Sequence, residues 1–297
     1  SCGSDSSDGD EPGGLRIVAT SEPVAALARE VAGEDAAITV LVKAGVDPHE
    51  YELRTADRKA IDDADVILMN GRGIDAFLDP VIASSGGGTR VAVVSDGVPA
   101  READELHEHD DGGEVDEHDH PDGDPHIWQS PVNAKIMVTN IADALAPADP
   151  DDAATYRANA DTYNAHLDEV DREIAALIDT IPPANRKVVT NHDAFGYFLE
   201  RYGLEFVGAV IPSLSTASEP SARDIADLIE TIRREQVKAI FAESSVDPKV
   251  ARQISADTGV AIVDDLYGDT LGPPGSGADT VDGMLLANAH KFVEALK

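Results

Sequence analysis

The chain has 297 residues, of which 42% are hydrophobic, so it is long enough for two domains with apolar cores. Its formal net charge of −34 is extreme. Because nucleic-acid binding requires a Lys- and Arg-rich surface that neutralises phosphates, this charge argues against nucleic acid as a partner. A surface this acidic also keeps a protein in solution and repels anions.

The N-terminal residues form a spacer that cannot build a core. Cys2 is the only cysteine of the sequence, and Gly, Ser and Asp follow it, so no intramolecular disulfide or thiolate cluster can form. A cysteine before such a spacer resembles the start of a mature bacterial or archaeal lipoprotein. We therefore expect a disordered leader over residues 1–14 with lipid attached at Cys2; the alternative is a fortuitous cysteine in that leader. No run approaches the roughly 18 apolar residues of a membrane span, so the lipid would be the sole membrane anchor.

Short apolar segments alternate with helical patterns in the first half of the chain. This alternation is typical of parallel βαβ units. Helix starts carry the expected cap residues and early prolines, as in Ser21-Glu22-Pro23. We predict an α/β lobe over residues 15–147, with strands at 15–20, 38–42, 66–71 and 90–94 and helices at 21–31, 55–64 and 131–145.

A long amphipathic helix is predicted next. Residues 149–181 contain no Gly and no interior Pro. Their apolar side chains recur at spacings of three and four, which predicts one helix roughly 45 to 50 Å long. The residues that carry the pattern are Tyr156, Tyr163, Leu167, Val170, Ile174, Leu177 and Ile178. We assign residues 148–182 to a helix that connects two lobes.

The second half repeats the alternation of strands and helices. We predict a second α/β lobe over residues 183–297, with strands at 187–190, 205–210, 237–242 and 260–263 and helices at 222–234, 248–257 and 279–295. The predicted fold class is therefore α/β, with two lobes of parallel βαβ units joined by one long helix.

Three histidines and one aspartate follow predicted strands or loops. His49 and His126 each end an Asp-Pro-His tripeptide, in which the fixed φ of proline presents the imidazole from a stiff turn. His192 follows a third strand, and Asp269 lies in a turn bounded by glycines. Three imidazoles and a carboxylate at strand ends favour a site for a first-row metal ion.

Several motifs in combination resemble one family, the metal-binding extracytoplasmic receptors of zinc and manganese ABC importers. The resemblance covers residues 15–297 except for an acidic insert. It implies that His49, His126, His192 and Asp269 are the ligands and that the metal lies in the cleft between the lobes. It also implies a cell-surface monomer that delivers its ion to an ABC permease without catalysis. The segments that carry it are Gly45–Glu52, Asp124–Trp128, Thr190–Tyr197 and Leu266–Gly272.

The donor types favour Zn²⁺ over Mn²⁺. Zn²⁺ accepts imidazole readily, whereas Mn²⁺ prefers sites rich in carboxylate with more ligands. The resemblance points the same way, because manganese members often have Glu at the position of His192. A manganese or iron receptor is the alternative within the family.

A zinc hydrolase is the alternative from another class. Hydrolysis requires an open coordination position and a general base. The sequence contains no His-Glu-x-x-His signature, and four protein ligands would close the site. We therefore expect a binding protein and not an enzyme.

Polar residues beside the ligands could orient the imidazoles or serve only as turn and cap residues. They are Asp47, Glu50, Asn191 and Asp193. We interpret Trp128 as core packing beside the site, and His166 and His290 as structural.

Residues 101–124 form an acidic insert with twelve acids and one base. Tracts of His and Asp bind transition metals weakly, and the resemblance implies such a loop. The alternative is a solvated acidic linker. The candidate accessory ligands are His107, His109, His118 and His120.

Overall fold

The computed structural model describes residues 14–33, 36–84, 90–101 and 123–297. Two four-stranded sheets, each with only parallel pairs, form the centres of two lobes. The predicted fold class is confirmed. Within the described ranges, no helix combines the length and apolar character that crossing a bilayer requires.

The N-terminal lobe is built on a sheet with the order β2-β1-β3-β4. Its central strand β1 is buried except at its first residue, as expected for a strand with helices on both sides. The helix α1 has Pro23 in its first turn and ends at Gly33, which has a positive φ. The strands and helices are β1 Arg16–Ser21, α1 Glu22–Ala32, β2 Ala37–Val42, α2 Thr55–Asp63, β3 Val66–Met69, α3 Asp79–Ser84, β4 Arg90–Val93 and α4 Pro131–Leu145.

The C-terminal lobe has the equivalent strand order, β6-β5-β7-β8. Every residue of β7 is buried, and β7 lies between β5 and β8. The strands and helices are β5 Lys187–Thr190, α6 Gly196–Tyr202, β6 Glu205–Ala209, α7 Ala222–Glu235, β7 Ala239–Glu243, α8 Lys249–Thr258, β8 Ala261–Leu266 and α9 Val281–Leu296.

The helix α5, Ala153–Ile178, lies between the two lobes in sequence and packs on helices of both. Its buried face belongs to a hydrophobic core that also includes α1 and α4 of the N-terminal lobe and α9 of the C-terminal lobe. Six of the seven side chains of the predicted apolar stripe are buried, and Leu177 is partly buried. One continuous core therefore joins the lobes along this helix.

The largest differences from the sequence predictions concern three helices, while several strands differ by one to three residues at an end. The helix α5 has 26 residues, about 39 Å, because it begins only after Pro150 and ends before Pro182, and residues that precede proline disfavour helical geometry. The short helices α3 and α6 were not predicted. Each has only six or seven residues, too few to show a helical period.

Candidate metal centre

The four predicted ligand residues meet in the cleft between the lobes. His192 follows β5 by two residues and Asp269 follows β8 by three. His49 lies in the loop after β2, and His126 lies in the loop between β4 and α4. Parallel strands direct their carboxyl ends to one edge of a sheet, so each lobe contributes its ligands from that edge.

The ligand atoms lie at distances that suit a small cation. The Nε2 atom of His126 lies 3.4 Å from Nε2 of His49 and 3.4 Å from Nε2 of His192. Asp269 Oδ1 lies 3.1 Å from His126 Nε2. Asp269 Oδ2 lies 3.7 Å from His49 Nε2 and 3.5 Å from His192 Nε2. A tetrahedral zinc site with bonds of about 2.0–2.1 Å has ligand–ligand distances of about 3.3 Å, so these spacings fit.

Burial makes the centre a closed one. His126 and His192 are fully buried and the Asp269 side chain has no exposed surface. Neither oxygen of the Asp269 carboxylate has a hydrogen-bond partner in the described part of the chain, although both face imidazole nitrogens. A buried carboxylate is costly unless positive charge lies beside it, and a divalent ion among these imidazole nitrogens would supply that charge, so these residues fit a divalent ion.

Asp124 orients His126 from behind. Its Oδ1 atom lies 2.7 Å from His126 Nδ1 and also accepts the His126 backbone N–H. This contact leaves Nε2 directed into the centre. Burial alone would lower the pKa of His126, but the carboxylates of Asp124 and Asp269 outweigh burial and raise it to about 9.

The Arg101 guanidinium connects Asp124 with the other lobe. Its Nη1 atom lies 2.9 Å from Asp124 Oδ2 and 3.4 Å from Asp193 Oδ2. Asp193 directly follows the ligand residue His192 in the sequence. The Arg101 side chain is only 9% exposed, so the two ion pairs are buried. The guanidinium packs directly against the Cα of Gly196, where a Cβ would collide with it.

Glu243 faces the Nδ1 atom of His192, as Asp124 faces the Nδ1 atom of His126. Its Oε1 atom lies 2.6 Å from His192 Nδ1. Burial also opposes charge on His192, yet Glu243 and Asp269 hold its pKa well above the ordinary value. Burial would raise the pKa of Asp269, but the facing imidazoles of His192 and His49 hold it well below its usual range.

Asp47 fixes the loop that carries His49. Its Oδ1 atom accepts the backbone N–H of His49 at 2.9 Å, and its Oδ2 atom accepts the hydroxyl of Thr216 at 2.6 Å. The backbone N–H of Gly45 donates to the hydroxyl of Thr270. Since Thr216 and Thr270 belong to the C-terminal lobe, the His49 loop is held from across the cleft.

Trp128 and Gln129 join the lobes beside the centre. The indole N–H of Trp128 donates to the carbonyl of Gly268 at 2.9 Å, and the Gln129 amide donates to the same oxygen at 2.8 Å. The Trp128 ring also packs edge-on against His126, with centroids 5.6 Å apart. Trp128 is buried in the core as predicted. Its hydrogen bond also holds Gly268, the residue before Asp269.

The sequence did not identify the two carboxylates that face the Nδ1 atoms of ligand imidazoles, Asp124 and Glu243. Of the residues proposed to orient the imidazoles, Asp47 holds a backbone N–H, Asn191 accepts the N–H of Glu243, and Asp193 pairs with Arg101. Glu50 is exposed. Cys2 and the accessory histidines His107, His109, His118 and His120 lie outside the described residues.

Comparison with known proteins identifies the family. Residues 17–295 match the model for the zinc-uptake complex component A, periplasmic. The manganese-binding lipoprotein MntA of Halalkalibacterium halodurans is 32% identical over 298 residues, which are 99% of this chain and 93% of MntA. The zinc-binding protein AdcA of Streptococcus pyogenes is 33% identical over 273 residues, which are 87% of this chain and 52% of AdcA.

Two solved structures show the same architecture. The periplasmic zinc-binding protein TroA from Treponema pallidum is 28% identical, with a TM-score of 0.85 over 96% of this chain and 99% of TroA. The manganese-bound periplasmic metal-binding protein from Candidatus Liberibacter asiaticus is 26% identical, with a TM-score of 0.80 over 95% of this chain and 99% of that protein. The chain therefore belongs to the zinc-uptake component A family of metal-binding receptors for ABC transporters, and it is a receptor and not a hydrolase.

Proposed function

We propose that the chain is an extracytoplasmic zinc receptor that delivers its ion to an ABC import permease. His49, His126, His192 and Asp269 hold the ion between lobes formed by residues 15–147 and 183–297. The observation that carries this proposal is that the ligand atoms of these four residues all lie within 4.8 Å of one another, five of their spacings being 3.1 to 3.7 Å. Zinc is the cargo, and four buried ligands are suited to holding it without activating water.

A matched pair of histidine variants tests the ligand assignment. His126→Ala should weaken zinc binding by more than roughly 10- to 100-fold, which is the loss typical when a residue that hydrogen-bonds to a metal ligand is replaced. His166→Ala is the control, because His166 is half-exposed on α5 and pairs with Asp282 instead of the centre. Competition titration with a chromophoric chelator measures both affinities. Zinc binding by His126→Ala as tight as that of the parent would disprove the assignment.

Manganese is the second candidate, and one feature of the centre favours it. Both oxygens of Asp269 face imidazole nitrogens, so the carboxylate could bind an ion through both, as higher-coordinate ions require. Relatives named for manganese and for zinc both match the chain. Native mass spectrometry with equimolar Zn²⁺ and Mn²⁺ decides between the ions. Retention of manganese over zinc would replace the zinc assignment with a manganese receptor.

The finer cellular proposals concern the N-terminus and the insert. We propose that Cys2 carries a lipid, since MntA is named a lipoprotein, and that the chain is a monomer. Mass analysis of protein extracted from membranes tests the lipid, and light scattering tests the monomer.

We also propose that the insert holds only weak sites, so deletion of residues 105–122 should remove weak zinc binding and leave the tight site unchanged. Loss of the tight site would contradict that division.

A further inference from the structure

One carboxylate in the C-terminal lobe contacts two of the four ligand residues. Glu243 is the last residue of β7, the strand between β5 and β8, and the residues after those two neighbouring strands include His192 and Asp269. Because parallel strands end at the same edge, the side chain of the middle strand lies between the ligands of its neighbours. Glu243 is fully buried there.

The two oxygens of the Glu243 carboxylate face two different ligand residues. Oε1 lies 2.6 Å from Nδ1 of His192. Oε2 accepts the backbone N–H of Asp269 at 3.1 Å. The Glu243 backbone N–H donates in turn to the side-chain oxygen of Asn191. The carboxylate is therefore fixed on one side by its strand and fixes two ligand residues on the other.

The surrounding chain is shaped to admit this carboxylate. A Cβ on Gly268 would collide with the Glu243 carboxylate group, so only glycine lets the turn before Asp269 approach so closely. A buried carboxylate carries a large desolvation cost, which makes it a poor choice for packing alone. Asp124 makes the equivalent contact to His126 but touches no second ligand through its side chain in the described contacts.

We propose that Glu243 is the positioning residue of the C-terminal half of the metal centre. It keeps the proton of His192 on Nδ1, so that Nε2 faces the ion, and it holds the backbone of Asp269 so that both carboxylate oxygens face the imidazoles. Glu243 is not itself a ligand. This inference rests on the proposed function, because it concerns the same centre.

Glu243→Gln tests the proposal with almost no change of shape. The variant should bind zinc roughly 10- to 100-fold more weakly than the parent. Its Co²⁺ complex should show a changed ligand-field absorption spectrum, since the spectrum reports the geometry of the ligands. Asp75→Asn is the matched control: Asp75 is a buried carboxylate in the other lobe that accepts the backbone N–H of Gly71. This control should leave the Co²⁺ spectrum and the zinc affinity unchanged.

The outcomes separate the two proposals. If the parent itself binds no zinc tightly, the proposed function fails. If the parent binds zinc and Glu243→Gln matches it in affinity and in Co²⁺ spectrum, the positioning role fails while the receptor stands. A change of melting temperature without either metal readout also overturns it, because that is the signature of a purely structural carboxylate. If Glu243→Gln does not fold, nitrogen-15 NMR of the zinc-bound parent decides: a slowly exchanging, strongly downfield Nδ1 proton on His192 supports the contact, and its absence refutes it.

Discussion

Proton release from His126 and His192 should dominate the pH dependence of metal binding, and His126 sets the least effect to expect. An imidazole coordinates only when neutral, so the ion must displace the proton that Asp124 and Asp269 stabilise on His126. With a pKa of about 9, the affinity should fall about tenfold per pH unit below that value. This group alone therefore predicts about a 50-fold loss between pH 9 and pH 7, whereas an ordinary imidazole would give an almost flat profile there.

The stability of the metal-free protein should change in the opposite direction. The pKa of His126 is raised on folding, so its contribution to the free energy of unfolding is complete below about pH 6.5 and is lost as the pH rises through about 9. The shift corresponds to at most about 3 kcal/mol. The melting temperature of the metal-free protein should therefore fall as the pH rises from about 6.5 to about 9. The increase in melting temperature on zinc addition should become larger over the same pH range.

Two measurements test this pair of trends. Chelator competition at several pH values between about 6.5 and 9.5 gives the affinity, and thermal unfolding of chelator-stripped protein gives the stability. Asp124→Asn is the diagnostic variant, because Asp124 is the partner that raises the pKa most, so its profile should be flatter. A parent affinity that does not change between pH 7 and pH 9 would refute the reasoning.

Three further predictions follow from contacts between the lobes. Trp128→Phe loses the indole N–H and leaves a small cavity in the core, so it should cost about 2 kcal/mol in urea denaturation, of which about 1 kcal/mol is the hydrogen bond, since Gln129 still donates to Gly268. Arg101→Met removes the cation that two buried carboxylates share. Asp193 then loses its ion pair while Asp124 keeps His126, so the change should destabilise the protein by about 3 kcal/mol, far more than Arg16→Met at an exposed pair. The third concerns α5, which contains no Gly or Pro to form a hinge. The radius of gyration from small-angle scattering should therefore change little on zinc binding, and a wide closure would contradict the rigid helix.

Local signals were enough to predict most of the fold. The bounds of α4 and β5 agree with the predicted ones because proline or polar residues mark their ends. The sequence predicted the apolar stripe of α5 over its whole length. The predicted helix, residues 149–181, extends beyond the observed Ala153–Ile178 at both ends. Helix periodicity does not locate the last turn, which here depends on the prolines at 150 and 182.

The residues that contact the ligand histidines through Nδ1 could not be predicted in the same way. Glu243 carries a signal in the sequence, a single acid at the end of a fully buried strand. Its partners depend on the order β5-β7-β8, however, and the sequence does not specify strand order. Asp124 lies in the same tripeptide as His126, but its counterpart Asp47 holds a backbone N–H, so the motif alone does not distinguish the two roles.

The charges of the centre suit an exchange of protons for a divalent ion. Asp124, Glu243 and Asp269 are three buried carboxylates, and buried carboxylates need positive charge beside them. The raised pKa values of His126 and His192 favour protons on these imidazoles in the metal-free protein. A divalent ion that displaces both protons leaves the net charge of the cleft unchanged. Acid should favour release of the ion, because protons compete for the same nitrogens.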